Sequence, residues 1–182
     1  MKKILITGFG AFLKHHDNPA EKVALSFKNE GYDVTILPVS YAGAKTAFDH
    51  IKNLKQYDFI LSLGLASSRK YISLEKNAYN EMNALHLDND GVRKMGEAIL
   101  PGASKQLSTT LELAPLQAAL AQKGIMVDLS LDPGRYICNE VYYLDLASGI
   151  PALFVHFPSI EASSIEKDYL AIKTLLDAIK SL

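Results

Sequence analysis

Five short apolar runs recur along the chain, at 3–7, 33–38, 58–63, 125–130 and 152–157, and stretches of helical period separate them. The apolar residues in these runs are neighbours, as in Phe59-Ile60-Leu61 and Leu153-Phe154-Val155, and do not alternate with polar ones. A strand with one wet face alternates, whereas a strand covered on both faces by helices does not. The pattern predicts an α/β domain with a mainly parallel sheet. With 182 residues, 48% of them hydrophobic, the chain can build one sizeable core. It has no repeat, low-complexity tract or linker, so it reads as a single domain over 1–182.

Helix signals fill the gaps. Asn18-Pro19 reads as an N-cap followed by proline at the first helical position, with Gly31 as the stop. Ala44, Ala47, Phe48, Ile51 and Leu54 place one apolar stripe on a second helix. A third covers 115–123 and ends at Gly124. The last opens at Ser163-Ser164-Ile165-Glu166, a capping-box spacing, and directs Leu170, Ile172, Leu175, Leu176 and Ile179 to the sheet. The stretch 64–110 breaks the alternation. It holds a short strand candidate, Tyr71 through Glu75, and a strong turn signal, Asn89-Asp90-Gly91.

Open α/β sheets place ligands beyond the carboxyl ends of their strands. Gly8-Phe9-Gly10, the segment from Gly64 to Arg69, the segment from Asp132 to Cys138, and His156-Phe157-Pro158 all fall there. Cys138, the chain's one cysteine, begins a stretch of helical spacing that ends at Gly149, with Val141, Leu144 and Tyr142 as its apolar face. A lone buried cysteine also reads as an inert small hydrophobe. A thiol in the first turn of a helix has more to offer, because unpaired N–H groups there favour a thiolate and can donate to an oxyanion. His156 then stands as the candidate base.

Composition excludes several classes. A net charge of −1 with scattered basic residues provides no footprint for nucleic acid or an anionic membrane. One cysteine rules out an internal disulfide and a Cys-rich zinc site, which suits a reducing, cytoplasmic compartment. The apolar run after Met1-Lys2-Lys3 stops at Thr7-Gly8, short of signal or membrane length. His15-His16-Asp17 lacks the remaining ligands of a metal set. Thr7-Gly8-Phe9-Gly10 lacks the third glycine of a dinucleotide fingerprint and the Gly-Lys-Ser/Thr of a P-loop. No cofactor or metal is expected.

Taken in order, the motifs resemble the pyrrolidone-carboxylate peptidases, or pyroglutamyl peptidase I family, of cysteine peptidases. Thr7-Gly8-Phe9, Phe12 and Asn18-Pro19 are similar to its T-G-F-x-x-F and N-P. Ile72-Ser73-Leu74-Glu75, Asp88-Asn89-Asp90-Gly91 and the segment from Ser108 to Leu111 are similar to its I-S-[IL]-E, D-N-x-G and S-T-L. The segments from Gly134 to Asn139 and from Phe154 to Pro158 resemble G-x-[FY]-[VI]-C-N and F-[IV]-H-x-P. The resemblance implies a three-layer αβα sandwich of the phosphorylase/hydrolase kind around a mainly parallel, mixed, twisted sheet. It implies removal of an N-terminal pyroglutamyl residue from small peptides, through an acyl-enzyme formed by a triad of Cys138, His156 and Glu75. Arg69 would lie near the acyl site and help the oxyanion. Phe9 and Phe12 would flank the lactam ring, with Asn18 steadying their loop. Assembly as a homodimer or homotetramer is implied too, with Tyr142 and Tyr143 as exposed aromatics available for self-association.

Three departures from the family pattern bear on the site. Glu140 replaces the histidine of C-N-H, and a carboxylate there would raise the thiol pKa if it pointed inward. The loop G-Q-A-G-G-R reads Gly64-Leu65-Ala66-Ser67-Ser68-Arg69, with serines where glycine allows wider backbone angles. The opening loop reads Ala11-Phe12-Leu13-Lys14-His15-His16, without the usual proline and glycines. An alternative therefore stands beside the peptidase: a silent or altered member of the same scaffold that binds a small amide or peptide.

Overall fold

The computed structural model describes residues 2–12, 18–54 and 56–181, and the side chains of 52–54 lie outside the description. In chain order the elements are β1 (Ile4–Phe9), α1 (Pro19–Lys28), β2 (Asp33–Leu37), α2 (Tyr41–Leu54), β3 (Phe59–Leu65), β4 (Ile72–Glu75), β5 (Asn77–Tyr79), β6 (Met82–Asn83), β7 (Met95–Glu97), β8 (Gln106–Ser108), α3 (Leu113–Gln122), β9 (Val127–Ser130), α4 (Ile137–Ala147), β10 (Ala152–Phe157) and α5 (Ile165–Ser181). The main sheet runs β2-β1-β3-β10-β4-β9 and is parallel except where β4 meets β10. Two small antiparallel pairs, β5 with β8 and β6 with β7, account for the stretch that broke the alternation.

The three-layer expectation holds. Val23, Ala24 and Phe27 of α1, Leu116 and Leu120 of α3, and Ile172, Leu175 and Leu176 of α5 pack on one face of the sheet. Ala44 and Phe48 of α2 and Val141, Tyr142 and Leu144 of α4 pack on the other. Central strands β1 and β10 are buried at every position, as continuous apolar runs require. The outer strands β2 and β9 are not: each has a neighbour on one side only, and both carry exposed residues.

Asn18 caps α1, its Oδ1 accepting from the Ala20 N–H at 3.0 Å, with Pro19 in the first turn. The α5 cap falls one residue later than the capping-box spacing suggests. Ser164 Oγ accepts from Lys167 N–H, while Ser163 Oγ donates to Asp168. Leu170 does not face the sheet. It is 42% exposed, because Ile172, Leu175, Leu176 and Ile179 already define the buried stripe and Leu170 falls off it. Tyr142 and Tyr143 are not exposed either. Both are fully buried, since α4 is covered by the sheet on one side and by α2 and the small strands elsewhere, so neither offers a surface for self-association.

Candidate active site

The register places the functional side chains. In β10, Phe154 and His156 point to the same face, because strand side chains alternate. Antiparallel pairing sets Glu75 of β4 opposite Phe154, and parallel pairing sets Gly64 of β3 opposite His156. Glu75, Phe154, His156 and the bare position at Gly64 therefore share the face that α4 covers. A Cβ on Gly64 would lie 3.0 Å from Cys138 Sγ. The sulfur thus stands over the strand residue that pairs with His156.

Glu75 and His156 are joined directly. His156 Nδ1 lies 2.8 Å from Glu75 Oε1, and both side chains are buried. A carboxylate only accepts, so this contact assigns the proton to Nδ1 and leaves Nε2 as the basic lone pair. The Phe154 ring packs on the imidazole with centroids 4.7 Å apart. Arg69 reaches the same Glu75 oxygen with Nη2 at 3.0 Å, and its remaining contacts go to Ser73 Oγ and the Asp132 carbonyl. Glu75 Oε2 has no partner among the described residues.

Cys138 sits at the second position of α4, after Gly134 with φ of +87° in the preceding loop. That left-handed turn needs glycine and aims the chain into the helix. The helix start does not give a ready thiolate. Burial, followed by the Glu75 carboxylate, pushes the thiol up to about 12, against a smaller lowering by its own backbone N–H. Glu140 has no part in this. It is buried toward Tyr41, Lys94, Lys45 and Asp88, and burial pushes its carboxyl up to about 8.

Two residues of α4 that the sequence did not mark as site residues build the site. Tyr142, one turn after Cys138, donates its hydroxyl to the Glu75 carbonyl at 2.7 Å. Asn139 accepts from Tyr79 N–H and donates to the carbonyls of Tyr79 and Glu81, which pins the 79–81 segment beside Cys138. The spacing of Tyr142 from Cys138, four residues along one helix, was a legible signal. Asn139 gave none beyond its place in the motif.

A cavity of about 30 Å³ adjoins Cys138, walled by Phe9, Phe12, Asn18, Val39, Leu65 and Tyr136. Two of its wall residues, Phe12 and Tyr136, have ring centroids 5.4 Å apart. Asn18 Nδ2 donates to the Gly10 carbonyl, and Asn89 Nδ2 to that of Ala11, so these two asparagines of the matched motifs hold the loop carrying Phe12. Ser67 and Ser68 form the centre of a turn closed by Arg69 N–H to the Ala66 carbonyl. His15, His16, Asp17 and the altered residues from Leu13 to His16 lie outside the described residues. Among the described residues, no cluster of three or more His, Cys, Asp or Glu is placed to hold a metal, and no helix is long and apolar enough to cross a membrane.

A cysteine at a helix start, over a mixed sheet that carries a histidine–carboxylate pair, has the constituents of a thiol hydrolase on an αβα fold. The model of the pyroglutamyl peptidase family matches residues 2–180. The pyrrolidone-carboxylate peptidase of Pyrococcus furiosus is 32% identical, covering 91% of this chain and 85% of its own. That of Bacillus subtilis is 29% identical, covering 98% of this chain and 89% of its own. A crystal structure of a mutant pyrrolidone carboxyl peptidase from P. furiosus superposes with a TM-score of 0.90 at 28% identity, over 96% of each chain. The Thermus thermophilus enzyme superposes at 0.88, with 27% identity, over 95% of this chain and 98% of that one. The chain belongs to the pyroglutamyl peptidase family.

Proposed function

We propose that this protein is a cysteine exopeptidase that hydrolyses the amide following an N-terminal pyroglutamyl residue, with Cys138 as nucleophile, His156 as base and then acid, and Glu75 as the carboxylate that orients the imidazole. One observation carries the reading: Cys138 Sγ stands over Gly64 on the sheet face where Glu75 holds His156 in the Nδ1–H tautomer.

Burial and the Glu75 carboxylate raise the thiol, so in this reading its proton leaves during attack. His156 Nε2 takes that proton as the sulfur adds to the acyl carbonyl. The resulting imidazolium is stabilised by Glu75, which is itself fixed by Arg69 and, through its carbonyl, by Tyr142. Backbone N–H groups at the start of α4 supply positive potential for the oxyanion. Collapse passes the proton from Nε2 to the leaving nitrogen, which releases the shortened peptide and leaves a thioester on Cys138. Water, deprotonated by His156, then cleaves the thioester to pyroglutamic acid and restores the thiol.

Phe9, Phe12 and Asn18 form the acyl pocket in this reading. A lactam has no charge to pair and one flat ring to cover, and the cavity walls are aromatic and apolar with Asn18 behind them. Arg69, whose Nη2 is held on Glu75, serves as a positioning residue for that carboxylate.

Hydrolysis of pyroglutamyl-aminomethylcoumarin under reducing conditions tests the proposal, with Cys138→Ser and prolyl-aminomethylcoumarin as controls. Turnover by wild type alone, and of the pyroglutamyl substrate alone, is the expected result. Well-folded protein without turnover would replace this reading with that of a binding member of the family.

A further inference from the structure

The acyl chemistry leaves a second concavity unused. A groove of about 690 Å³ adjoins the acyl cavity, which is lined by Leu65 and Tyr136 where the groove is lined by their chain neighbours Ala66 and Arg135. An amide held at Cys138 with its ring in the acyl cavity would extend its nitrogen side across that shared rim, into a groove with room for more than one residue. Its walls are fixed relative to the nucleophile. Asn139, the residue after Cys138, binds the backbone of Tyr79 and Glu81, and Asn83 N–H donates to the Arg135 carbonyl.

The charges of the groove are unequal in what they offer a ligand. Arg135 stacks on the Tyr79 ring, its Cζ 3.7 Å from the centroid. It gives Nε to Glu81 and Nη1 to Asp132. Arg69 gives its Nη groups to Ser73, Glu75 and the Asp132 carbonyl. Both guanidinium groups are tucked in, at 22% and 26% side-chain exposure, while Glu81 and Asp132 are 43% and 60% exposed. The groove is lined by two cations and two carboxylates, so its charges balance, but the carboxylates are the more exposed groups and the charge it offers a ligand is theirs. Arginine at position 135, fixed in a clamp, organises these carboxylates and is not itself free for an anion.

Building on the peptidase reading above, we propose that this groove receives the leaving peptide and selects substrates with lysine or arginine immediately after the pyroglutamyl residue. An ammonium or guanidinium there meets Glu81 and Asp132, and an acidic side chain meets the same charges with the opposite sign.

The test compares kcat/KM for the amidated tripeptides pyroglutamyl-Lys-Ala, pyroglutamyl-Gln-Ala and pyroglutamyl-Glu-Ala, with release of the dipeptide amide followed by chromatography. Pyroglutamyl-aminomethylcoumarin, which brings no charge to the groove, serves as the reference substrate. We expect lysine to exceed glutamate by about fivefold at low ionic strength, with glutamine between, and the ratio to approach parity in about 0.5 M salt. Glu81→Gln should reduce the ratio and Glu81→Lys should invert it. The ratio within one variant cancels any effect on the shared acyl step. Equal rates for the three peptides, with the reference substrate turned over normally, would overturn the groove assignment alone. Absence of turnover of the reference substrate would overturn the peptidase reading and this proposal with it.

Discussion

Gly64→Ala tests whether the closeness of sulfur, sheet and imidazole is what the site depends on. The added Cβ would lie 2.8 and 2.9 Å from Phe154 Cζ and Cε1 and 3.0 Å from Cys138 Sγ. Carbon contacts settle at about 3.5–4.0 Å, so atoms must move by roughly 0.7 Å. The Phe154 ring has little room to yield, being fully buried against Phe9, Tyr142 and His156 at centroid distances of 6.5, 5.6 and 4.7 Å. Overpacking of this kind costs about 1–3 kcal/mol, which a urea midpoint will read. Displacement of the sulfur or the imidazole by most of an ångström should lower kcat/KM on the coumarin substrate by about 100-fold. Gly43→Ala is the control. Its Cβ would clash with Pro38 Cγ at 2.5 Å and Ser40 Oγ at 2.7 Å, so it should destabilise comparably while sparing turnover. Wild-type turnover in Gly64→Ala, or an equal loss in the two variants, would refute the argument.

Two further predictions concern charge. Glu75 is the second cause of the raised thiol, so Glu75→Gln should speed iodoacetamide alkylation of Cys138 at fixed pH while turnover falls on the order of 10²–10⁴-fold through loss of the imidazole's orienting carboxylate. Slower alkylation would show that Glu75 does not act on the sulfur. Glu140, raised from 4.5 to about 8 by burial, is protonated in the fold where the unfolded chain is already ionised. Its contribution to stability is complete below pH 4.5 and is lost as pH rises to about 8. Glu140→Gln should flatten the decline of urea-unfolding stability across that window, by up to a few kcal/mol. An unchanged slope would mean that the carboxyl is solvated.

The matched motifs were legible because each encodes a local physical need. Asn18-Pro19 is a cap and a first helical turn, Gly134 is a left-handed turn before Cys138, and the segment from Asp88 to Gly91 closes a turn on its own side chain, with Asp88 Oδ1 accepting from the N–H groups of Asp90 and Val92. Leu170, Tyr142 and Tyr143 were misread for a related reason. A helical stripe gives the direction of burial but not its width, so α5 buries less than its apolar pattern and α4 more.

The sequence by itself determined the layered α/β architecture, since uninterrupted apolar runs between amphipathic stretches have few other ways to be buried. It also named Cys138, His156 and Glu75, through motifs that keep their order. What it could not decide was how charge and space are balanced once those residues meet. The thiol is raised and not lowered, because burial and a carboxylate from a different strand outweigh one helix start. Glu140 faces Lys94 and Asp88 and not the sulfur, because two residues along a helix turn a side chain to the opposite side. Arg69 closes on Glu75, because the turn from Ala66 to Arg69 folds it back along β4. Each outcome depends on distances between elements far apart in the chain, which spacing along one strand or helix does not contain.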